Sequence, residues 1–150
     1  METANEAAKV IVRCPFCGTM NRVDASRAKD RPKCGECARP ILLDRPIALT
    51  DDDLERVVAE SGIPVVIDFY ADWCKPCKVM APIFDEAASE RAGTVLFTKL
   101  DTDRNPAASM RYGIRGIPTL IVFKGGKEFS RQVGAVPKQV LNQILDSAVR

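Results

Sequence analysis

From Ile47 onward the apolar positions fall into regular periods, and ahead of it they do not. Leu54, Val57 and Val58 share one helical face, behind Thr50 as cap and Asp51, Asp52 and Asp53 in the first turn, until Gly62 and Pro64 end the run. The stretch Val65 to Tyr70 predicts a buried strand, and the helix after Cys74 contains Pro82, where a kink is expected. Val95 to Asp101 reads as the next strand. Asn105 and Pro106 then supply the cap and first position of a short helix that stops near Gly113. Thr119 to Phe123 and Lys127 to Val133 read as strands joined through Gly125-Gly126, a hairpin signal. Val140, Leu141, Ile144, Leu145 and Ala148 give the last helix one apolar face. This alternation predicts an α/β fold, a mixed central sheet with helices on both faces.

The segment before Ile47 is organised by cysteines instead. Residues 1–9 are expected to be frayed. Residues 10–45 are too few for a core of their own, because pieces below about 40 residues usually need a metal or disulfides. Two similar turns, Cys14-Pro15-Phe16-Cys17-Gly18 and Cys34-Gly35-Glu36-Cys37, each offer two thiols from a tight loop, with 16 residues between the pairs. That spacing matches a four-cysteine zinc template and predicts one tetrahedral structural Zn2+ on Cys14, Cys17, Cys34 and Cys37. The alternatives are unligated surface thiols or two disulfides. Arg39 to Pro46, with two prolines, reads as a stiff extended link. The division is therefore 1–9, a zinc-ribbon-like module at 10–45, and a larger domain at 46–150.

Composition narrows the chemistry. At 150 residues, 46% hydrophobic and 28% charged, the chain has the make-up of a soluble globular protein. It shows neither a basic leader nor a membrane-spanning stretch, so no membrane partner is expected and the expected compartment is the cytoplasm, where thiols stay reduced. Paired cysteines there argue for metal binding or redox catalysis. Histidine is absent, which excludes Cys-His and Ser-His nucleophile pairs. Residues 1–46 carry nine Lys/Arg against six Asp/Glu, a basic excess that invites a nucleic-acid reading. Four thiolates on a divalent zinc leave two negative charges, however, which Arg13, Lys33 and Arg39 can offset. Nucleic acid is not expected as a partner.

The third cysteine pair lies in Trp73-Cys74-Lys75-Pro76-Cys77, directly after the buried strand and directly before a helix. A cysteine at a helix start sits at the positive end of the dipole, where its thiolate is favoured, and a thiolate beside a partner thiol is a disulfide-exchange centre. A buried, inert dithiol is the alternative. Asp68 interrupts an otherwise apolar strand. Burial should raise its pKa, leaving it either to take a proton from an attacking thiol or to serve a structural hydrogen-bond network.

Val66-Ile67-Asp68-Phe69-Tyr70-Ala71-Asp72-Trp73-Cys74, Pro76-Cys77-Lys78, Tyr112-Gly113-Ile114-Arg115-Gly116-Ile117-Pro118-Thr119 and Val133-Gly134-Ala135 together resemble the thioredoxin family over residues 47–150. With the four-cysteine module in front, the whole chain resembles the zinc-containing thioredoxin-2 type. The resemblance implies a thioredoxin fold and a protein-disulfide reductase in which Cys74 attacks and Cys77 resolves. It implies Lys99 as the partner of a proton-transferring Asp68, and a substrate surface of Trp73, Ile117, a cis Pro118 and Gly134. It also implies an NADPH-dependent thioredoxin reductase and disulfide-containing clients as partners, a monomer, and no bound organic cofactor. By base rate alone Pro118 would be trans. Two positions depart from the family: Tyr70 stands where a second Trp is frequent, and Lys75 stands where glycine is usual. Lys75 and Pro76, between the cysteines, are the expected redox-tuning residues. Rival readings are a thiol oxidant or isomerase on the same fold, and a zinc-sensing or chaperone-like binding module.

Overall fold

The computed structural model describes residues 8–150. Residues 1–7, most of the segment expected to fray, lie outside the described residues. Ala8 is buried and Lys9 already pairs with Asp24, so order begins ahead of the expected boundary. Strands β1 (Lys9–Arg13) and β2 (Met20–Asp24) form an antiparallel hairpin with the first cysteine loop at its turn. A 3-10 turn, Ala25–Asp30, follows, and a bridge between Lys33 and Pro40 closes the second cysteine loop.

The larger part runs β3 (Ile47–Ala48), α1 (Leu54–Ala59), β4 (Val65–Tyr70), α2 (Lys75–Glu90), β5 (Leu96–Asp101), α3 (Pro106–Arg111), β6 (Thr119–Lys124), β7 (Lys127–Val133) and α4 (Lys138–Val149). The five strands make one mixed sheet in the order β3-β5-β4-β6-β7. β5 runs parallel to β3 and β4, while β6 runs antiparallel to β4 and β7. The hairpin glycines Gly125 and Gly126 have φ of 62° and 80°, the positive pair that a two-residue turn of the favoured handedness needs. A bulge between Val122 and Phe123 shifts the register of β6 against β7, the outermost strand. α2 continues through Pro82 as one helix, although the ring removes the bond to the Lys78 carbonyl.

Each sheet face carries its own core. Val66, Phe97 and Val122 pack beneath α2 and α4 with Met80, Phe84, Leu141 and Leu145. On the opposite face Ile67, Phe69 and Leu100 pack with Leu54 and Val57 of α1 and Ala108 of α3. That second cluster extends without interruption into Val10, Val12, Cys14, Cys34, Ile41 and Leu43. The amino-terminal segment, too short for its own core, thus shares that of the sheet.

Polar contacts tie the same junction. The Arg13 guanidinium donates to Asp53 at 2.6 Å, and the other Asp53 oxygen accepts from the Thr50 amide at 2.7 Å. Asp53 is only 3% exposed, so this carboxylate depends on both partners. The Gly62 amide donates to the Lys9 carbonyl at 2.8 Å, and Arg22 pairs with Glu60 at 2.9 Å. Gly93 has φ +92°, and a Cβ there would meet the Ala25 carbonyl at 3.0 Å.

Two expected caps are rearranged. Thr50 heads the turn before α1, but the helix starts at Leu54 and the three acids precede it. Asn105 makes no side-chain cap on α3. Its oxygen accepts from the Asp51 amide at 2.9 Å, and the Asp51 carboxylate caps α3 instead, accepting from the Ala108 amide at 2.7 Å. The acids that would favour the start of α1 are used by its neighbours: Asp53 by Arg13, Asp51 by α3.

Arg13→Ala should lower stability by about 1.5–3 kcal/mol, the range for a hydrogen bond to a charged group. Urea denaturation of Arg13→Ala, Asp53→Asn and the double variant will measure it, with the double variant costing less than the sum of the singles. Additive costs would mean the pair is energetically idle.

Candidate functional site

β4 ends at Tyr70, and a short turn through buried Ala71 and exposed Asp72 and Trp73 delivers Cys74 as the amino-terminal cap of α2. Cys74 has extended backbone (φ −85°, ψ 114°), and its Sγ accepts from the Cys77 amide at 3.2 Å. The sulfur therefore sits on the unpaired amides and positive dipole end of a 16-residue helix, an environment that favours a thiolate. Cys77 lies inside the first turn, with Cα 5.3 Å from that of Cys74, and the two are joined as a disulfide. Each is 4% exposed. Lys75 and Pro76 are the first two helical residues, and both are exposed.

The loop before β6 closes over this pair. The Ile117-Pro118 peptide is cis, and the Ile117 carbonyl oxygen lies 3.7 Å from Cys74 Sγ. The Gly134 amide donates to the Pro118 carbonyl at 2.7 Å, which holds Gly134 against the same loop. Trp73 is 69% exposed, its indole N–H donating to Asp103 at 2.9 Å. Of the residues expected to form the substrate surface, Ile117 touches Cys74, Pro118 follows it through the cis bond, Gly134 is tied to Pro118, and Trp73, next to Cys74 in the chain, stands out in solvent.

Asp68 is 5% exposed, and its Oδ1 has no hydrogen-bond partner. Burial pushes its carboxyl up to about 7; Lys99 opposes this and Asp85 of α2 adds to it. Lys99 is its register partner on β5 but is itself exposed, with its ammonium 6.0 Å from the centre of the Tyr70 ring. Sequence reasoning missed Asp85 and Asp103. Both are ordinary surface acids in the sequence, brought to the site by helix packing and by the loop after β5.

At the other end, the four remaining sulfurs lie within 4.8 Å of one another. Cys14 and Cys37 are 3.7 Å apart and Cys17 and Cys34 are 3.5 Å apart, close to the roughly 3.8 Å edge of a tetrahedron with 2.3 Å metal–sulfur bonds. Amides of Phe16 and Glu36 donate to Cys14 and Cys34 at 3.4 and 3.3 Å, and the Asn21 side chain donates to Cys34 at 3.4 Å. Such bonds favour a thiolate at Cys34, which is lowered to about 6 with the Cys37 amide as the first cause, while Cys37 is pushed up to about 11, its Arg39 amide bond outweighed by burial and by the three other sulfurs. Sulfur identity, spacing and donors fit a metal-binding cluster.

Comparisons agree with both centres. A family profile described as Thioredoxin matches residues 45–147, and one described as Thioredoxin 2, N-terminal, a zinc ribbon, matches residues 13–39. Thioredoxin C-3 of Corynebacterium nephridii is 37% identical over 141 residues, covering 94% of this chain and 97% of that protein. Thioredoxin of Allochromatium vinosum is 49% identical over 104 residues, covering 69% and 97%. Among solved structures, a mutant thioredoxin from Halobacterium salinarum NRC-1 superposes with a TM-score of 0.66 at 31% identity, covering 72% of this chain and 94% of that one.

The raised carboxyl of Asp68 has a consequence for stability. The native state holds this proton more tightly than the unfolded chain does, so stability falls as pH rises from about 4 through about 7. Asp68→Asn should remove that slope and be more stable at pH 8 by up to about 4 kcal/mol, the limit set by a shift of roughly three units. Urea melts of both proteins from pH 4 to 8 test this; parallel curves would mean that Asp68 is not buried with a raised pKa.

Proposed function

The chain belongs to the thioredoxin family and is a thiol–disulfide oxidoreductase, and we propose a division of labour among its residues on that premise. The supporting observation is the Cys74–Cys77 disulfide at the head of α2, against the Ile117-Pro118 loop. In the reduced protein the Cys74 thiolate attacks one sulfur of a client disulfide, forming a mixed disulfide and releasing the other client sulfur, which takes up a proton. Cys77 gives its proton to the Asp68 carboxylate and attacks Cys74 Sγ, expelling the second client sulfur. Two electrons pass to the client, and the Cys74–Cys77 disulfide remains. A carboxyl near 7 is matched to receiving a proton at neutral pH, and Lys99 partly opposes the rise that burial causes. Trp73, Ile117, Pro118 and Gly134 form the surface on which the client chain rests. Lys75, charged and exposed one residue after Cys74, favours the thiolate and tunes the couple, with Pro76 holding the helix start.

The metal of the four-cysteine cluster is one structural Zn2+ held by Cys14, Cys17, Cys34 and Cys37. Bound there it would cross-link the two cysteine loops and supply no electron transfer. A thioredoxin reductase using NADPH regenerates the dithiol, and the setting is electron transport and redox homeostasis in the cytoplasm. Among the described residues no helix is long and apolar enough to cross a membrane.

Cys77→Ser should accumulate mixed disulfides with a disulfide-bonded client, and Cys74→Ser should trap none; equal trapping on non-reducing gels would reverse the assignment. Native mass spectrometry of the reduced protein should find one zinc, lost when the four amino-terminal cysteines are replaced by serine. Because that segment shares a core with α1, chelation should lower the denaturation midpoint of the whole chain. A reduced protein without zinc would refute the site.

A further inference from the structure

The junction between the amino-terminal segment and the sheet encloses a crevice of about 540 Å3, within the roughly 300–1,000 Å3 of small-molecule sites. Its apolar walls come from Pro15 and Phe16 of the first cysteine loop, Leu42 and Pro46 of the linker, and Ile47 and Ala48 of β3. Phe16 is 56% exposed, with the Arg39 guanidinium 4.9 Å from its ring centre. The charged side chains lining the crevice are the cations Arg13, Arg45 and Lys99, and Cys14 of the four-cysteine cluster lines it as well. Two of the cations are already neutralised, Arg13 by Asp53 and Arg45 by Asp44. Lys99 makes no ion pair among the described residues. Lys99 is thus the one cation of the lining outside an ion pair, and an apolar cleft with such a charge at its wall is complementary to an apolar body with a single negative one.

We propose that this crevice binds a small apolar monocarboxylate of the medium-chain fatty-acid class, its chain against Phe16, Leu42 and Pro46 and its head group on the Lys99 ammonium. Lys99 also connects the crevice to the dithiol. The charged side chains facing Asp68 are Lys99 from β5, which favours its ionised form, and Asp85 from α2, which disfavours it. A carboxylate on Lys99 offsets the favourable charge, so occupancy moves the Asp68 titration to higher pH.

The probe is decanoate, below its micellar concentration, with decyltrimethylammonium as the oppositely charged control, on the full oxidised chain. Calorimetry should show saturable binding of decanoate at a single site and none of the cationic amphiphile. Ala48 is exposed on β3, so Ala48→Phe fills the crevice without entering the core and should weaken binding about tenfold or more. Lys99→Gln should weaken it about two- to fivefold, as for an exposed ion pair. The carbon-13 carboxyl resonance of Asp68 should titrate at higher pH with decanoate than without. No saturable binding, equal binding of the cationic amphiphile, an unmoved Asp68 titration, or unchanged affinity in both variants would each overturn the proposal. Should Ala48→Phe fail to fold, Lys99→Gln and the Asp68 titration still decide it.

Discussion

The structure depends on β4 being bonded on both sides and covered on both faces. Parallel pairing to β5 and antiparallel pairing to β6 use its backbone groups, and all its side chains but Tyr70 are buried. Such a strand must be nearly continuous in apolar residues, as Val65 to Phe69 is, with one exception. Alternation turns Val66 and Asp68 to the α2 face and Val65, Ile67 and Phe69 to the other, so a slip of one residue would drive a carboxylate into the larger apolar cluster. The register that avoids this also sets Asp68 beside Lys99 and ends the strand where Cys74 can cap α2. Core packing and redox chemistry are thus selected by one alignment.

The amino-terminal segment answers to the same sheet from outside. Its apolar side chains lie over α1 and the edge of the sheet, and Arg13, one residue before a cysteine of the cluster, satisfies a carboxylate buried in the larger part. A metal on the four sulfurs would fix the ends of two loops, while the shared core fixes where those loops sit. Neither alone explains an ordered segment of this length.

What could be read from the sequence was what lies close in sequence. The strands and helices, the hairpin glycines and the two cysteine centres all rest on local periods or short spacings. The departures come from contacts between distant residues. Asp51 caps α3 rather than α1 because folding brings the two helix starts together, and Asn105 turns its side chain to Asp51. Family resemblance implies Lys99 as the partner of Asp68; the register places it opposite, yet its ammonium rests over Tyr70 in solvent. Asp85 and Asp103 carry no local signal, since an acid on an exposed helix face looks the same wherever that face points. The crevice was invisible for the same reason: its walls come from three separate stretches of chain.

The outer strands have a bearing on self-association. At one margin β3 is only two residues long, and at the other the seven-residue β7 carries Lys127, Glu128 and Arg131 and is itself bulged at Phe129, where its ladder with β6 shifts register. Short, charged or distorted margins are poor templates for docking another strand. Disulfide-bearing clients are often partly opened chains with unpaired strands in search of a neighbour. A protein that handles them repeatedly gains from sheet edges that are either very short, as at β3, or charged and bulged, as at β7, where a client strand finds no even ladder to extend.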